Sequence, residues 1–228
     1  MKRGTLLSQL GSLLGLIAVY LLFALLAPSS FTSGRNLETI ARQTAIVGTA
    51  ALGMTLVILA GGIDLSVGST IALTSVVIAD CLQSGMGPLT AALAGIFAGA
   101  LCGLLNGLLI TRFRVVPFIV TLGTLLIVRG IAKGLAHEQK IDAPLTWLID
   151  LVAALPKNAW WLVPPGVWLM ALLACLTAGF LVYTQWGKHI TAVGSNENTA
   201  RLCGIPVERI KCLVYILSGI SAGLAGLL

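Results

Sequence analysis

The sequence predicts an all-α, polytopic transmembrane helix bundle of about seven spans, and three observations carry that expectation. The 228 residues are 57% hydrophobic and only 10% charged, whereas soluble domains carry about a quarter charged residues. Charge-free runs are long: 4–34, 43–63, 81–111, 158–187 and 212–228. A helix needs roughly 20 apolar residues to cross a bilayer, and these runs approach or exceed that length again and again. No stretch shows the alternation over about ten residues that marks a membrane β-barrel.

Spans are expected at 8–27, 44–61, 66–83, 88–110, 115–132, 162–184 and 212–228. The first follows Lys2-Arg3; its apolar run is too long for a signal peptide and no A-x-A site follows, so it stays uncleaved. With that terminus inside, Arg112 and Arg114 after the fourth span are cytoplasmic. So are Lys188, Arg201, Arg209 and Lys211 after the sixth, as the positive-inside rule requires. Segment 133–160, with Glu138, Asp142 and Asp150, falls outside. Arg35 and Arg42 also fall outside, against the rule, and a helix lying along the interface at 36–43 would accommodate them.

The second and third spans share the run 43–79, whose one charged residue is Asp64. As a single helix it would be about 55 Å long at 1.5 Å per residue, against a hydrocarbon core of about 30 Å. The run must break, and Gly61-Gly62 followed by Asp64 and Ser66 encodes the place. Gly loosens the backbone, while Asp and Ser offer oxygens to the unpaired N–H groups of the next helix. Two readings stay open: a tight cytoplasmic turn with a solvated Asp64, or an unwound, re-entrant segment at membrane depth near 60–69. In both, Asp64 caps and does not shuttle protons.

In the fourth span Gly95, Gly99, Gly103 and Gly107 recur every four residues, leaving one face bare enough for another helix to approach backbone to backbone. Asn106 lies beside that stripe, placed to hydrogen-bond across the contact. The stripe serves either internal packing or a dimer seam. Trp160, Trp161 and Trp168, in a proline-rich stretch, are expected to anchor the sixth span at the interface. Segment 186–211 is the longest polar stretch on the cytoplasmic side. Ser195 is its expected N-cap, Glu197 stands in the first turn where the dipole favours an acid, and Gly204 and Pro206 stop the helix. Two turns are too few to be stable alone, so this helix docks on its own bundle or on a partner.

The net charge of +6 is spread over short inter-helix segments, and no basic stretch interleaved with aromatics supports nucleic-acid binding. There is no P-loop motif, no Ser-His-Asp arrangement and no Cys/His cluster of metal-ligand spacing. The sequence therefore offers no catalytic residue, no metal site and no cofactor site. Ionisable residues within the spans are few, chiefly Asp64, Asp80 and the end residue Arg129. Proton-driven transporters usually carry more, which points to an energy source outside the chain.

Three stretches carry a resemblance: "LGMTLVILAGGIDLSVGS" at 52–69, "GLLNGLLITRFRVVPFIVTLGTL" at 103–125 and "AVGSNENTARLCGIPVERIK" at 192–211. Together they resemble the ribose-type permeases of ATP-binding-cassette importers, which serve ribose, xylose, arabinose or autoinducer-2 in the bacterial inner membrane. The resemblance implies a multi-pass permease subunit that translocates a monosaccharide and performs no catalysis. ATP would be bound by a separate cytoplasmic subunit. The other implied partners are a periplasmic sugar-binding protein, a second permease subunit (homo- or heterodimer) and membrane lipid. It makes 186–211 the coupling loop, with Gly194, Ser195, Asn196, Glu197, Ala200, Arg201, Gly204 and Ile205 meeting the ATPase. It also makes the break at Gly61, Gly62, Asp64 and Ser66 a family feature on the translocation path. Residues 1–228 form a single permease domain, expected to be incomplete at its C-terminus because family members continue with further spans. The competing classes are a stand-alone secondary transporter or channel, and a non-transporting truncated remnant.

Overall fold

The computed structural model describes residues 3–151, 153 and 163–228; Trp160 and Trp161 lie outside the described residues. Among the described residues there is no strand. The long helices are α1 (Arg3–Leu26), α2 (Gly34–Leu59), α3 (Val67–Gln83), α4 (Pro88–Arg112), α5 (Pro117–Leu135), α6 (Pro165–Tyr183) and α9 (Val207–Leu227). Two shorter helices, α7 (Gln185–Ser195) and α8 (Glu197–Leu202), lie between α6 and α9. Helices α4, α5 and α6 each open on a proline in the first turn, where the missing N–H costs nothing and φ is preset. Among the described residues, five helices (α2, α4, α5, α6 and α9) are long and apolar enough to cross a membrane, and Leu13–Leu26 and Val67–Gln83 are shorter apolar helical stretches.

The chain divides into two compact units, 1–41 and 42–228. Within the first, Phe31 lies 5.4 Å from the Tyr20 ring and 6.0 Å from the Phe23 ring. Asn36 Nδ2 donates to the Phe31 carbonyl at 2.7 Å. The expected interface helix at 36–43 is instead the opening of α2, which runs unbroken from Gly34. The sequence offers no glycine or proline between 35 and 47 to stop it.

The second unit is built on α4 and α9, which cross in backbone contact. A Cβ on Gly103 would meet the Tyr215 carbonyl, and one on Gly99 the Gly219 carbonyl. A Cβ on Gly107 would come within 2.9 Å of Cys212 Cα, and Gly223 faces Ile96 Cα in the same way at 2.7 Å. Gly95 is the exception: it faces the Ile78 side chain of α3. The stripe is thus filled by the chain's own α9 and α3.

One end of this unit gathers Gly61, Gly62, the C-terminus of α4, Arg114, Pro117, α7, α8 and the start of α9. The other end carries the C-terminus of α3 and segment 136–151: Gln83 Nε2 donates to the Asp142 carbonyl at 3.1 Å. There Leu148 is buried among Ile78, Leu82, Ala91 and Ala92. Trp168, in the first turn of α6, is exposed, as an interface anchor would be.

Candidate functional site at the helix break

Helix α2 closes with a left-handed Gly61 (φ 76°). The Gly61 N–H returns to the Ile58 carbonyl and that of Gly62 to the Val57 carbonyl, both at 2.9 Å. Gly62 has no room for a side chain, because a Cβ would stand 2.7 Å from the Tyr215 hydroxyl. Residues 62–66 then run without helix to the start of α3 at Val67.

Asp64 sits in this segment at 4% exposure. Its Oδ1 accepts from the Ser66 N–H at 3.0 Å and the Ser66 hydroxyl at 2.6 Å, and its Oδ2 accepts from the Ser218 hydroxyl at 3.0 Å. Asn106 Nδ2 of α4 donates to Ser66 Oγ at 2.8 Å, so the asparagine bonds to the break and not across the glycine contact. The Tyr215 hydroxyl donates to the Ile63 carbonyl at 3.1 Å. Helices α4 and α9 thus converge on five residues of broken backbone. Buried irregular backbone is sustained in this way, with its polar groups paired inside protein.

The burial of Asp64 between α4 and α9 speaks against the solvated turn. Asn106 stands six residues before the end of α4 at Arg112, about 9 Å along the axis. Ser218 stands 11 residues after the start of α9 at Val207, about 16 Å along it. Helix α3 has only 17 residues, about 26 Å, short of a hydrocarbon core of about 30 Å. Asp64 is therefore an interior residue and not a solvated turn cap. The expected capping is corrected in one respect: the Ser66 side chain caps no α3 N–H group. Its hydroxyl donates to Asp64 Oδ1 instead.

Helix α9 connects this break to the polar segment beyond α6. Lys211, Tyr215, Ser218 and Ala222 succeed one another at helical spacing on one face. Lys211 Nζ donates to Glu197 Oε2 at 2.6 Å, Tyr215 and Ser218 reach the break, and the Ala222 carbonyl lies 3.4 Å from Thr74 Oγ1 of α3. A second link is direct: Gly194, near the end of α7, packs on the backbone of Leu59 and Ala60 so closely that a Cβ would overlap the Leu59 carbonyl. A cavity of about 20 Å³, room for a single water, lies between Gly61, Gly62, Lys211 and Tyr215.

The polar segment itself differs from expectation. Instead of one short helix it holds two, α7 with 11 residues and α8 with six. Ile190 and Val193 are buried and carry α7 onward to Ser195. Ser195 is accordingly the last residue of α7, and Asn196 is the N-cap of α8: its backbone is extended and its Oδ1 accepts the Thr199 N–H at 3.0 Å. The expected stop holds its place, with Gly204 left-handed at φ 80° and Pro206 preceding α9. Ala200 is buried and Ile205 packs on the same cluster as Val207 and Ile210, so α8 docks on its own bundle. Arg201 bonds both Glu208 at 2.6 Å and Glu197 at 3.3 Å. The Lys211 ammonium, helped by Arg201, holds the Glu197 carboxyl below its ordinary value against the opposing effect of burial.

Sequence reading missed Lys211, Tyr215 and Ser218. The signal available was their i, i+4, i+7 spacing in an otherwise apolar helix, with nothing to name their partners.

A family described as "Branched-chain amino acid transport system / permease component" matches residues 36–228. The chain belongs to this permease family. The ribose import permease of Escherichia coli K12 is 37% identical over 217 residues, covering 95% of this chain and 67% of the relative. The ribose import permease of Bacillus subtilis is 36% identical over 222 residues, covering 96% and 67%. The fructose import permease of Rhizobium meliloti is 35% identical over 220 residues, covering 94% and 61%. The chain thus spans about two thirds of the length of these relatives, and within the family it falls in the ribose-type branch. No solved structure matches the chain. Permease family and apolar helices together make it a multi-pass protein of the inner membrane.

Proposed function

We propose that this permease chain translocates a monosaccharide as the membrane subunit of an ATP-binding-cassette importer, with ATP bound and hydrolysed on a separate cytoplasmic subunit. The other partners in this reading are a periplasmic sugar-binding protein, a second permease subunit and lipid; the chain itself holds no cofactor. Relatives named for ribose, fructose, L-arabinose and D-allose support the cargo class.

One observation carries the mechanism. The cytoplasmic segment 194–211 contacts the helix break twice, through Gly194 on Leu59 and through the α9 face that binds Glu197, Ile63 and Asp64. The ATPase meets the exposed side of this segment at Gly194, Ser195, Asn196, Arg201 and Gly204, with Glu197 half-buried beside them, while Ala200 and Ile205 hold α8 on the bundle. Movement of α7 and α8 reaches the break at Gly61, Gly62, Asp64 and Ser66, where the path opens or closes. A segment held by a handful of hydrogen bonds, each worth about 0.5–1.5 kcal/mol net, can shift while the glycine-packed α4–α9 pair stays fixed.

The test is uptake by the full-length permease with its partner subunits in vesicles. ATP-dependent accumulation of one of the four sugars is expected, with 186–211 labelled from the cytoplasmic face and position 142 from outside. Uptake that follows a proton gradient without ATP, or label reaching position 142 only from inside, overturns the reading.

A further inference from the structure

The outer half of α5 holds a second polar feature that the break does not explain. Between α3 and α5 lies a cavity of about 600 Å³. Its apolar floor is small: Ala72 and Val76 from α3, Ala132 from α5 and Ala136 just beyond its end. Its polar groups are Arg129 and Lys133, one turn apart, with Glu138 and Gln139 from the turn that follows. His137 and Glu138 are left-handed there (φ 49° and 56°), and the Glu138 N–H donates to the Lys133 carbonyl at 3.0 Å. That reversal folds the acid back to the helix it has just left. Neither Arg129 nor Lys133 forms an ion pair among the described residues.

Arg129 precedes the end of α5 at Leu135 by six residues, about 9 Å. A cation this far inside an apolar helix is retained where it faces water or a polar ligand, since lipid disfavours a bare charge. The cavity lies at the end of the bundle remote from α7 and α8.

We propose that this cavity is a waiting site for the cargo at the outer mouth, binding a polyhydroxylated molecule through Arg129, Lys133, Glu138 and Gln139. The inference rests on the import reading above and extends it to named contact residues. The side-chain inventory selects the ligand class. Arg and Lys only donate, ionised Glu only accepts, and Gln does both; vicinal hydroxyls, each donor and acceptor, match that mixture. A phosphate would match the two cations but would stand against Glu138 in the same cavity. The alanine floor suits the C–H face of a sugar ring. Ligand pockets run about 300–1,000 Å³, so a monosaccharide fits with its water.

The test uses the full-length transporter in right-side-out vesicles, with Ala136→Cys in a cysteine-free background and a membrane-impermeant maleimide. Val76→Cys serves as a second reporter should the first not accumulate. D-ribose, D-fructose, L-arabinose and D-allose are the probes. Labelling from outside is expected, slowed about threefold by one of these sugars at twice its dissociation constant, with the protection lost in Arg129→Gln. Uptake of a sugar with no protection by it at either position overturns the site while import stands. Protection by glycerol 1-phosphate or inorganic phosphate in place of any sugar makes this an anion or headgroup site and overturns it too. Protection by a sugar without ATP-dependent uptake retains the site and removes the import reading.

Discussion

Gly194→Ala tests the proposed mechanical link between α7 and the break. Position 194 is helical, so by propensity alone alanine should stabilise the chain by about 0.8–1 kcal/mol. The contact opposes this. The new Cβ would lie 2.8 Å from the Leu59 carbonyl carbon and 3.2 Å from that of Ala60, with the Leu59 oxygen nearer still. Carbon atoms settle at about 3.5–4.0 Å and the oxygen is closer than the carbons, so the end of α7 and the end of α2 must part by more than about 1 Å. Both sides are backbone, with no flexible tip to swing away, and overpacking of this kind costs about 1–3 kcal/mol. The clash outweighs the propensity gain, and the expected net loss is up to about 2 kcal/mol. The full-length transporter should assemble and hydrolyse ATP, while sugar moved per ATP falls about tenfold for each 1.4 kcal/mol of lost coupling. Gly130→Ala, where nothing lies within 4 Å of the added carbon, is the control and should leave transport unchanged. If Gly194→Ala transports as the parent does, with unchanged hydrogen exchange across 58–66, the contact transmits nothing.

Asp64→Asn should keep much of the activity, because its carbonyl still accepts from Ser66 and the Ser218 hydroxyl can reverse to accept from the new amide. Asp64→Leu strands those donors at about 1–3 kcal/mol each and should abolish uptake; equal loss in both at normal expression would mean that the proton-bearing carboxyl itself is required. Gly99→Leu and Gly103→Leu should prevent stable assembly, since each drives a side chain into α9 carbonyls, whereas Leu104→Ala should accumulate; thermal melting in detergent separates them. Glu197 titrates below its ordinary 4.5, so its ion pairs contribute fully above that pH and are lost as pH falls through the lowered value. Hydrogen exchange of 197–205, corrected for intrinsic rates, should rise under that acid, and Glu197→Gln should show the faster exchange already at neutral pH. Exposed pairs are worth only about 0.2–1 kcal/mol, so global unfolding should not move with it.

The amino-acid sequence by itself determined the solvent this chain is built for, the positions of its long helices and the place where the second and third must part. These properties are local: apolar length decides partition into lipid, and a glycine pair or a proline decides where a helix yields, whatever stands elsewhere. The same locality explains the errors. Ser195 and Asn196 are adjacent capping residues, and only the buried Ile190 and Val193 chose between them by extending α7 one residue further. The interior position of Asp64 was undecidable from its neighbours, because its ligand Ser218 stands 154 residues away. Gly103 signals that something approaches closely but not that it is the backbone of Tyr215. Which helix fills a bare face, and which hydroxyl reaches a carboxylate, are set by proximity in space. In a medium where most side chains are equally apolar, hydrophobicity cannot assign those partners; close packing and the pairing of the few polar groups do.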